Sequence, residues 1–233
     1  MKIGAIIFSR MNSSRLPGKA LIEINQKFLI ERVIERTKKI KNINHICLAT
    51  SENPEDDKLI EIAEKHKIDT FRGSLNNVTK RAYDAANYFN YDNILRICGD
   101  RPFFNIPLYE NLIQEAIDFE ADLFTNIFPR TVPPGFTAEL IKVKALKKTL
   151  TLTNSHIDLE HVTRFIYNNP KLFSIKNIKF YNNPEIIKLR LVVDDIDDLN
   201  RACFIAKETD KLSLREDSSM VIKMAKKYNN LNN

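Results

Sequence analysis

A short, uninterrupted apolar run, Ile3 to Phe8 (I-G-A-I-I-F), passes directly into the polar stretch Ser9 to Leu21 (S-R-M-N-S-S-R-L-P-G-K-A-L). A helical period follows from Phe28 to Ile40, with Leu29, Ile30, Val33, Ile34 and Thr37 on one face. The apolar run reads as a strand buried on both faces. A strand, a basic glycine-containing loop and then a helix is the order in which α/β proteins place a phosphate site at the carboxyl edge of a sheet. Within this loop Ser13 and Ser14 bring hydroxyls, and Arg10, Arg15 and Lys19 bring positive charge. Pro17-Gly18 sets a turn that brings backbone N–H groups close to a ligand. The loop is neither a P-loop, since Ala20 stands where Ser or Thr must follow the Gly-Lys pair and no glycine precedes Gly18 in the loop, nor a dinucleotide fingerprint, since Gly18 is its sole glycine.

The same alternation continues along the chain. His45 to Thr50 reads as a second strand, and Asn53-Pro54-Glu55-Asp56 opens a helix that runs to about His66. Asp69 to Phe71 is a short strand leading into Arg72-Gly73-Ser74, and the helix from Val78 to about Phe89 carries Arg81. Asn93 to Cys98 is a strand ending in Gly99-Asp100-Arg101-Pro102. An aspartate in that place either caps the turn or holds a metal ion against phosphates. Pro107 to Phe119 reads as a helix, Asp122 to Asn126 as a strand, and Phe128 to Glu139 as a Pro-rich loop long enough to be functional. Further strands are expected near Leu172 to Ile178 and Ile187 to Val193. The acidic run Asp194-Asp195-Ile196-Asp197-Asp198 then opens a helix. Asp197 and Asp198 are expected to be solvated and to complement the helix dipole, whereas Asp194 ends the preceding strand.

Alternating strands and helices give an α/β fold with a mostly parallel sheet and helices on both faces. The expected layout is one domain over residues 1–228 and a disordered Asn-rich tail over 229–233. At 233 residues and 43% apolar content the chain can bury a sizeable core. Its three cysteines are widely spaced and suggest neither a disulfide framework nor a zinc site, which fits a reducing cytoplasm. The sequence shows no signal-peptide pattern and no membrane-length apolar run. The net charge of +6 comes from Lys and Arg interspersed with acids, which speaks against nucleic acid; it reflects a general excess of Lys or a field that also favours a small anionic substrate.

The segment F-S-R-M-N-S-S-R-L-P-G-K-A-L resembles the signature loop of the cytidylyltransferases that make CMP-activated sugars, above all their spore-coat polysaccharide group. The similarity continues through G-D-R-P, P-G-F-T-A-E, E-H-V-T-R-F-I-Y-N-N-P and V-D-D-I-D-D-L. It implies the nucleotide-diphospho-sugar transferase fold, with one antiparallel strand, and a reaction in which CTP and a sugar give CMP-sugar and pyrophosphate. It also implies that Arg10, Ser13, Ser14, Arg15 and Lys19 grip the triphosphate. Arg72, Gly73, Ser74 and Arg81 would read base and ribose, and Gly135, Glu139, His161 and Arg164 would lie at the sugar. Asp100 and Asp194 would bind Mg²⁺. Arg15, Lys19, Asp100 and Asp194 are therefore the catalytic candidates. His161 could equally be a residue packing on a helix face. Asp195 and Ile196 replace the family's usual Thr-Pro, so the ligand is either Asp194 or Asp195. The expected partners are CTP and a sugar, with a homodimer left open, and no membrane insertion. The rival readings are a sugar-1-phosphate nucleotidyltransferase using another triphosphate, a metal-dependent glycosyltransferase, and a non-catalytic nucleotide-binding or nucleic-acid-binding module.

Overall fold

The computed structural model describes residues 1–232. The first half of the chain runs β1 (Ile3–Phe8), the small hairpin β2 (Glu23–Ile24) and β3 (Lys27–Phe28), α1 (Leu29–Thr37), β4 (His45–Ser51), α2 (Asp57–Lys65), β5 (Asp69–Gly73) and α3 (Val78–Tyr88). The chain continues with β6 (Asn93–Cys98), α4 (Ile106–Asp118), β7 (Leu123–Thr125), β8 (Glu139–Lys142), α5 (Val143–Leu152), α6 (His156–Glu160) and α7 (Arg164–Asn168). It ends with β9 (Ile175–Asn177), α8 (Pro184–Ile187), α9 (Ile196–Thr209) and α10 (Ser218–Asn232). A seven-stranded sheet in the order β5-β4-β1-β6-β8-β7-β9 is parallel throughout except at β8, which is antiparallel to both its neighbours. This is the expected mostly parallel sheet with one antiparallel strand.

Alternation along β1 explains why helices cover both faces. Ile3, Ala5 and Ile7 pack with Ile30, Val33 and Ile34 of α1, Leu59 and Ala63 of α2, and Tyr109 and Leu112 of α4. Ile6 points the other way, into Ala82, Ala85 and Ala86 of α3 and Ala145 and Leu146 of α5. The small side chains of α3 let that helix lie close to the sheet. A separate apolar cluster joins α9 and α10 to Phe103, Val132, Phe136, Leu189, Leu191 and Val193. Arg36 locks α1 to the loop after β6 through the carbonyl oxygens of Pro102 and Phe104, at 2.7 and 3.0 Å, and pairs with the buried Asp217.

Two expectations fail here. Ile187 to Val193 is not a strand. Its period-two burial is real, with Leu189, Leu191 and Val193 all inside, but its N–H groups go to loop carbonyls: Leu191 to Pro134 and Val193 to Asp100, at 2.8 and 2.9 Å. An extended segment held by loops joins no sheet ladder. The tail expected to be disordered after Tyr228 instead continues α10 to Asn232, and Asn233 lies outside the described residues.

Sheet order reverses at β1. The chain moves outward through β4 and β5, then returns to place β6 on the other flank of β1. Such a switch point opens a crevice at the carboxyl ends of the two strands, where ligands of open α/β sheets bind.

Candidate active site

A cavity of about 390 Å³ occupies that crevice. Its floor is the end of β1 (Phe8, Ser9) and the end of β6 (Cys98, Gly99, Asp100). The loop after β1 lines one wall with Arg10, Asn12, Ser13, Ser14, Arg15 and Lys19. Val78 and Arg81 of α3, Ala20, Glu160 at the end of α6, His161 directly after it, and Asp194 complete it.

The loop is built from inside. Gly18, at φ +69°, takes the left-handed conformation that reverses the chain into Lys19, and its N–H donates to Met11 O at 3.0 Å. Met11 N in turn donates to Asp56 Oδ1 at 2.7 Å. Asp56 is 2% exposed and also accepts from Thr50 Oγ1, Ser51 N and Ser51 Oγ at the end of β4. Burial by itself would raise the pKa of this carboxyl, but these four donors hold it below the ordinary aspartate value. Asp56 therefore ties the loop to the sheet. The sequence suggested only a helix-start acid at this position, and its proximity to a strand end was the available signal.

Lys19 Nζ stands between two carboxylates, 2.9 Å from Asp194 Oδ1 and 3.3 Å from Asp100 Oδ2, and donates to Val193 O at 2.9 Å. Asp194 Oδ2 meets Arg15 and Arg190, each at 2.9 Å. Burial disfavours ionisation of Asp194, but the hydrogen bond and charge of Lys19 and the charges of Arg15 and Arg190 hold its pKa below the ordinary value. Asp195 is occupied elsewhere. Its Oδ1 accepts from Asp198 N at 2.9 Å and caps α9, so Asp194 is the residue that faces the site. Asp198 departs from the solvated acid expected: it is 2% exposed and bound by Arg190, Arg201 and the N–H of Asp194.

On the opposite wall Arg10 pairs with Glu160 at 3.1 Å. Arg81, 2% exposed, donates to Ser74 O at 3.1 Å, and burial followed by the charge of Arg10 lowers its pKa to about 10. His161 lies in the turn between α6 and α7 and lines the cavity, so it does not merely pack on a helix face.

Other candidates stand outside the cavity lining. Arg72 braces the turn before α2 through Ser51 O, Asn53 O and Asp57. Gly73 packs against Arg81, and Ser74 meets the site only through its carbonyl. Arg164 pairs with Asp158 on the surface. Gly135, at φ +106°, holds the Pro-rich loop against the backbone of Leu191. Glu139 is 1% exposed, paired with Arg96 at 2.5 Å and accepting from Tyr167 Oη at 2.7 Å. Burial opposes its charge, but Arg96, Arg101 and the Tyr167 hydrogen bond hold its pKa below the ordinary glutamate value. Sequence reasoning missed Asp56, Glu160, Arg96, Arg101, Arg130 and Arg190. Glu160 was within reach, since it begins the E-H-V-T run.

Among the described residues no group of three or more His, Cys, Asp or Glu side chains is arranged to hold a metal ion. The Asp100 and Asp194 pair nevertheless fits Mg²⁺. That ion takes one or two protein carboxylates and completes its shell with substrate phosphates and water, and here two carboxylates already converge on one cation, the Lys19 ammonium.

The profile of a cytidylyltransferase family matches residues 4–214. The chain belongs to that family. It is 31% identical, over 92% of its own length and 87% of the relative's, to an uncharacterized protein of Methanocaldococcus jannaschii. It is 28% identical to the spore coat polysaccharide biosynthesis protein SpsF of Bacillus subtilis, over 83% of this chain and 81% of that one. A solved cytidylyltransferase of Leptospira borgpetersenii serovar Hardjo-bovis superposes with a TM-score of 0.90 at 28% identity, covering 99% of this chain and 96% of the other. No helix among the described residues is long and apolar enough to cross a membrane.

Proposed function

We propose that this cytidylyltransferase joins CTP to an acidic sugar, forming CMP-sugar and pyrophosphate for a surface polysaccharide. The observation that carries this reading is the meeting of Arg10, Arg15, Lys19 and Arg81 with Asp100 and Asp194 in one cavity at the β1/β6 switch point. A cationic loop suits a triphosphate, and paired carboxylates beside it suit a cation that accompanies the triphosphate. A binder of bare phosphate would gain nothing from the acids.

A sugar hydroxyl oxygen attacks the α-phosphorus and gives up its proton to solvent, the bond from that phosphorus to the bridging oxygen breaks, and pyrophosphate leaves. Such a transfer asks the protein chiefly for positioning and charge neutralisation. Lys19 and Arg15 exchange their hold on Asp194 for the oxygens of the leaving pyrophosphate. Arg10 and Arg81, on the other wall, neutralise charge and orient the nucleotide. Asp100 and Asp194 would hold Mg²⁺, which when bound supplies charge on the phosphates and acidifies the attacking hydroxyl.

The acidic sugar rests on charge excess. Arg96, Arg101 and Arg130 cluster around the single buried carboxylate of Glu139, and Arg101 reaches to 3.9 Å from Asp100 at the edge of the cavity. A carboxylate on the acceptor would relieve that surplus.

The test pairs CTP, UTP, GTP and dTTP with sugar acids and neutral sugars and follows pyrophosphate release. Release with CTP and an acid alone is the expected outcome. Equal release from all four triphosphates overturns the base choice, and release of nucleoside diphosphate from a nucleotide-sugar points to a glycosyltransferase.

A further inference from the structure

The two cations that leave Asp194 in the proposed reaction are Lys19 and Arg15. The third, Arg190, is held differently. Its Nε donates to both oxygens of Asp198, at 2.7 and 3.0 Å, and one terminal nitrogen bridges Asp198 Oδ2 and Asp194 Oδ2, each at 2.9 Å. Asp198 is anchored in turn by Arg201 at 2.8 Å and by the capping carboxylate of Asp195, and it accepts the N–H of Asp194 at 3.0 Å. One buried carboxylate therefore fixes the backbone of Asp194 directly and its side chain through the fork of Arg190.

We propose that Asp198 and Arg190 are positioning residues that pin Asp194 Oδ2, so that Oδ1 keeps its direction, toward the place between Asp194 and Asp100 where the Lys19 ammonium now sits, when Lys19 and Arg15 move to the substrate. The inference rests on the triphosphate reading of the site.

The reason is geometric. Asp194 follows an extended segment held by loop carbonyls, not by a strand ladder, so no sheet dictates its direction. A carboxylate on such a segment, released by Lys19 and Arg15, would be free to rotate. A planar guanidinium that meets two carboxylates at once prevents this, and an ammonium, with its single nitrogen, cannot reproduce both contacts with the same geometry. Arg190 also shares the negative charge of Asp194 permanently, which leaves Lys19 and Arg15 less tightly held and easier for phosphate to recruit.

Asp198 is buried and its replacement risks the fold, so Arg190, whose side chain is 39% exposed, is the residue to change. CTP affinity measured in EDTA should fall several-fold in Arg190→Gln, because Asp194 then draws harder on Lys19 and Arg15. The same substitution in an Asp194→Asn background should change affinity less than twofold. An equal fall in both backgrounds overturns the inference, since Arg190 would then be acting on the nucleotide or the fold and not through Asp194. Arg190→Lys separates position from charge: turnover with Mg²⁺ should drop at least tenfold while KM for CTP stays within about threefold. Wild-type turnover in Arg190→Lys overturns the positioning role and leaves the proposed function standing. Failure of the wild-type protein to bind CTP at all overturns the function, and the inference with it.

Discussion

Asp194→Asn should abolish turnover and at the same time tighten CTP binding in the absence of metal. In the ligand-free protein this carboxylate competes with phosphate for the cations that phosphate needs. Lys19 donates to it at 2.9 Å with both side chains less than one-fifth exposed. A charged hydrogen bond in such a place contributes about 1.5–3 kcal/mol net. Arg15 is also at 2.9 Å, but its side chain is 61% exposed, which limits that pair to about 0–1 kcal/mol. Lys19 keeps its contacts to Asp100 and Val193 O, so only part of this sum is released to the ligand. A gain of about 1.5–2.5 kcal/mol corresponds to roughly 10- to 60-fold tighter binding at about 1.4 kcal/mol per tenfold. Titration calorimetry of CTP in EDTA reads this directly, with circular dichroism confirming the fold. Weaker metal-free binding by a folded Asp194→Asn protein refutes the competition, and retained turnover refutes the assignment of Asp194 to the reaction.

Gly135→Ala should destabilise without touching the cavity. An added Cβ would lie 2.5 Å from Leu191 O at a φ of +106°, and backbone strain with overpacking costs about 2–5 kcal/mol, or roughly 5–15 °C in Tm for a chain of this size; an unchanged melting curve contradicts the account. Stability should also fall on acidification. Glu31, Asp56, Glu110 and Asp210 lie below their ordinary values of 4.5 for Glu and 3.8 for Asp. Burial opposes their ionisation (at Glu110 it ranks behind the hydrogen bond from Arg215), and hydrogen bonds and nearby cations more than offset it. Such a group adds stability above its unfolded pKa and loses that contribution as pH falls through its folded one. The urea midpoint should therefore hold from neutrality to about pH 4.5 and drop below it, with Asp217, raised by burial despite Arg36, working in the other direction; a midpoint that rises between about pH 4.5 and 3 overturns this.

What could be read from the sequence was whatever depends on local pattern. The strands at Ile3 to Phe8 and Asn93 to Cys98 have the same boundaries in the structure; the first is apolar throughout, and the second keeps Ile94, Leu95 and Ile97 buried between polar neighbours at its ends. The loop at Ser9 to Lys19 was legible because three cations and three serines directly after a buried strand suit an anion. What was not legible depends on partners far along the chain. Glu139 looks like the close of an irregular loop, yet it begins β8, since Leu140 and Ile141 pair with β6 and β7. Ile187 to Val193 carries a strand's alternation but finds no neighbouring strand. Asp198 seemed a solvent-facing helix acid until Arg190, eight residues earlier, and Arg201 were brought onto it. Arg72, given to the nucleotide by the family resemblance, pairs with Asp57 in the structure, a partner that the sequence did not point to.

Two of the candidate acids, one outside the cavity lining and one on it, are fitted to different tasks by their burial. Glu139 is 1% exposed and meets Arg96 and Tyr167 in a closed network, so stripping a cation from it would strand a charge away from water, a cost of several kcal/mol. It is a fixed counter-ion that keeps Arg96 and Arg101 in place. Asp194 has a side chain 19% exposed and opens onto the cavity, where a partner that leaves can be replaced by another cation or by water. Three cations crowding one locus without it would repel one another and disorder the loop before any substrate arrived. With it, the cations are neutralised internally, and an arriving triphosphate takes over partners already held near their working positions. The same carboxylate can thus stabilise the loop before substrate binds and be freed for a cation when the nucleotide arrives.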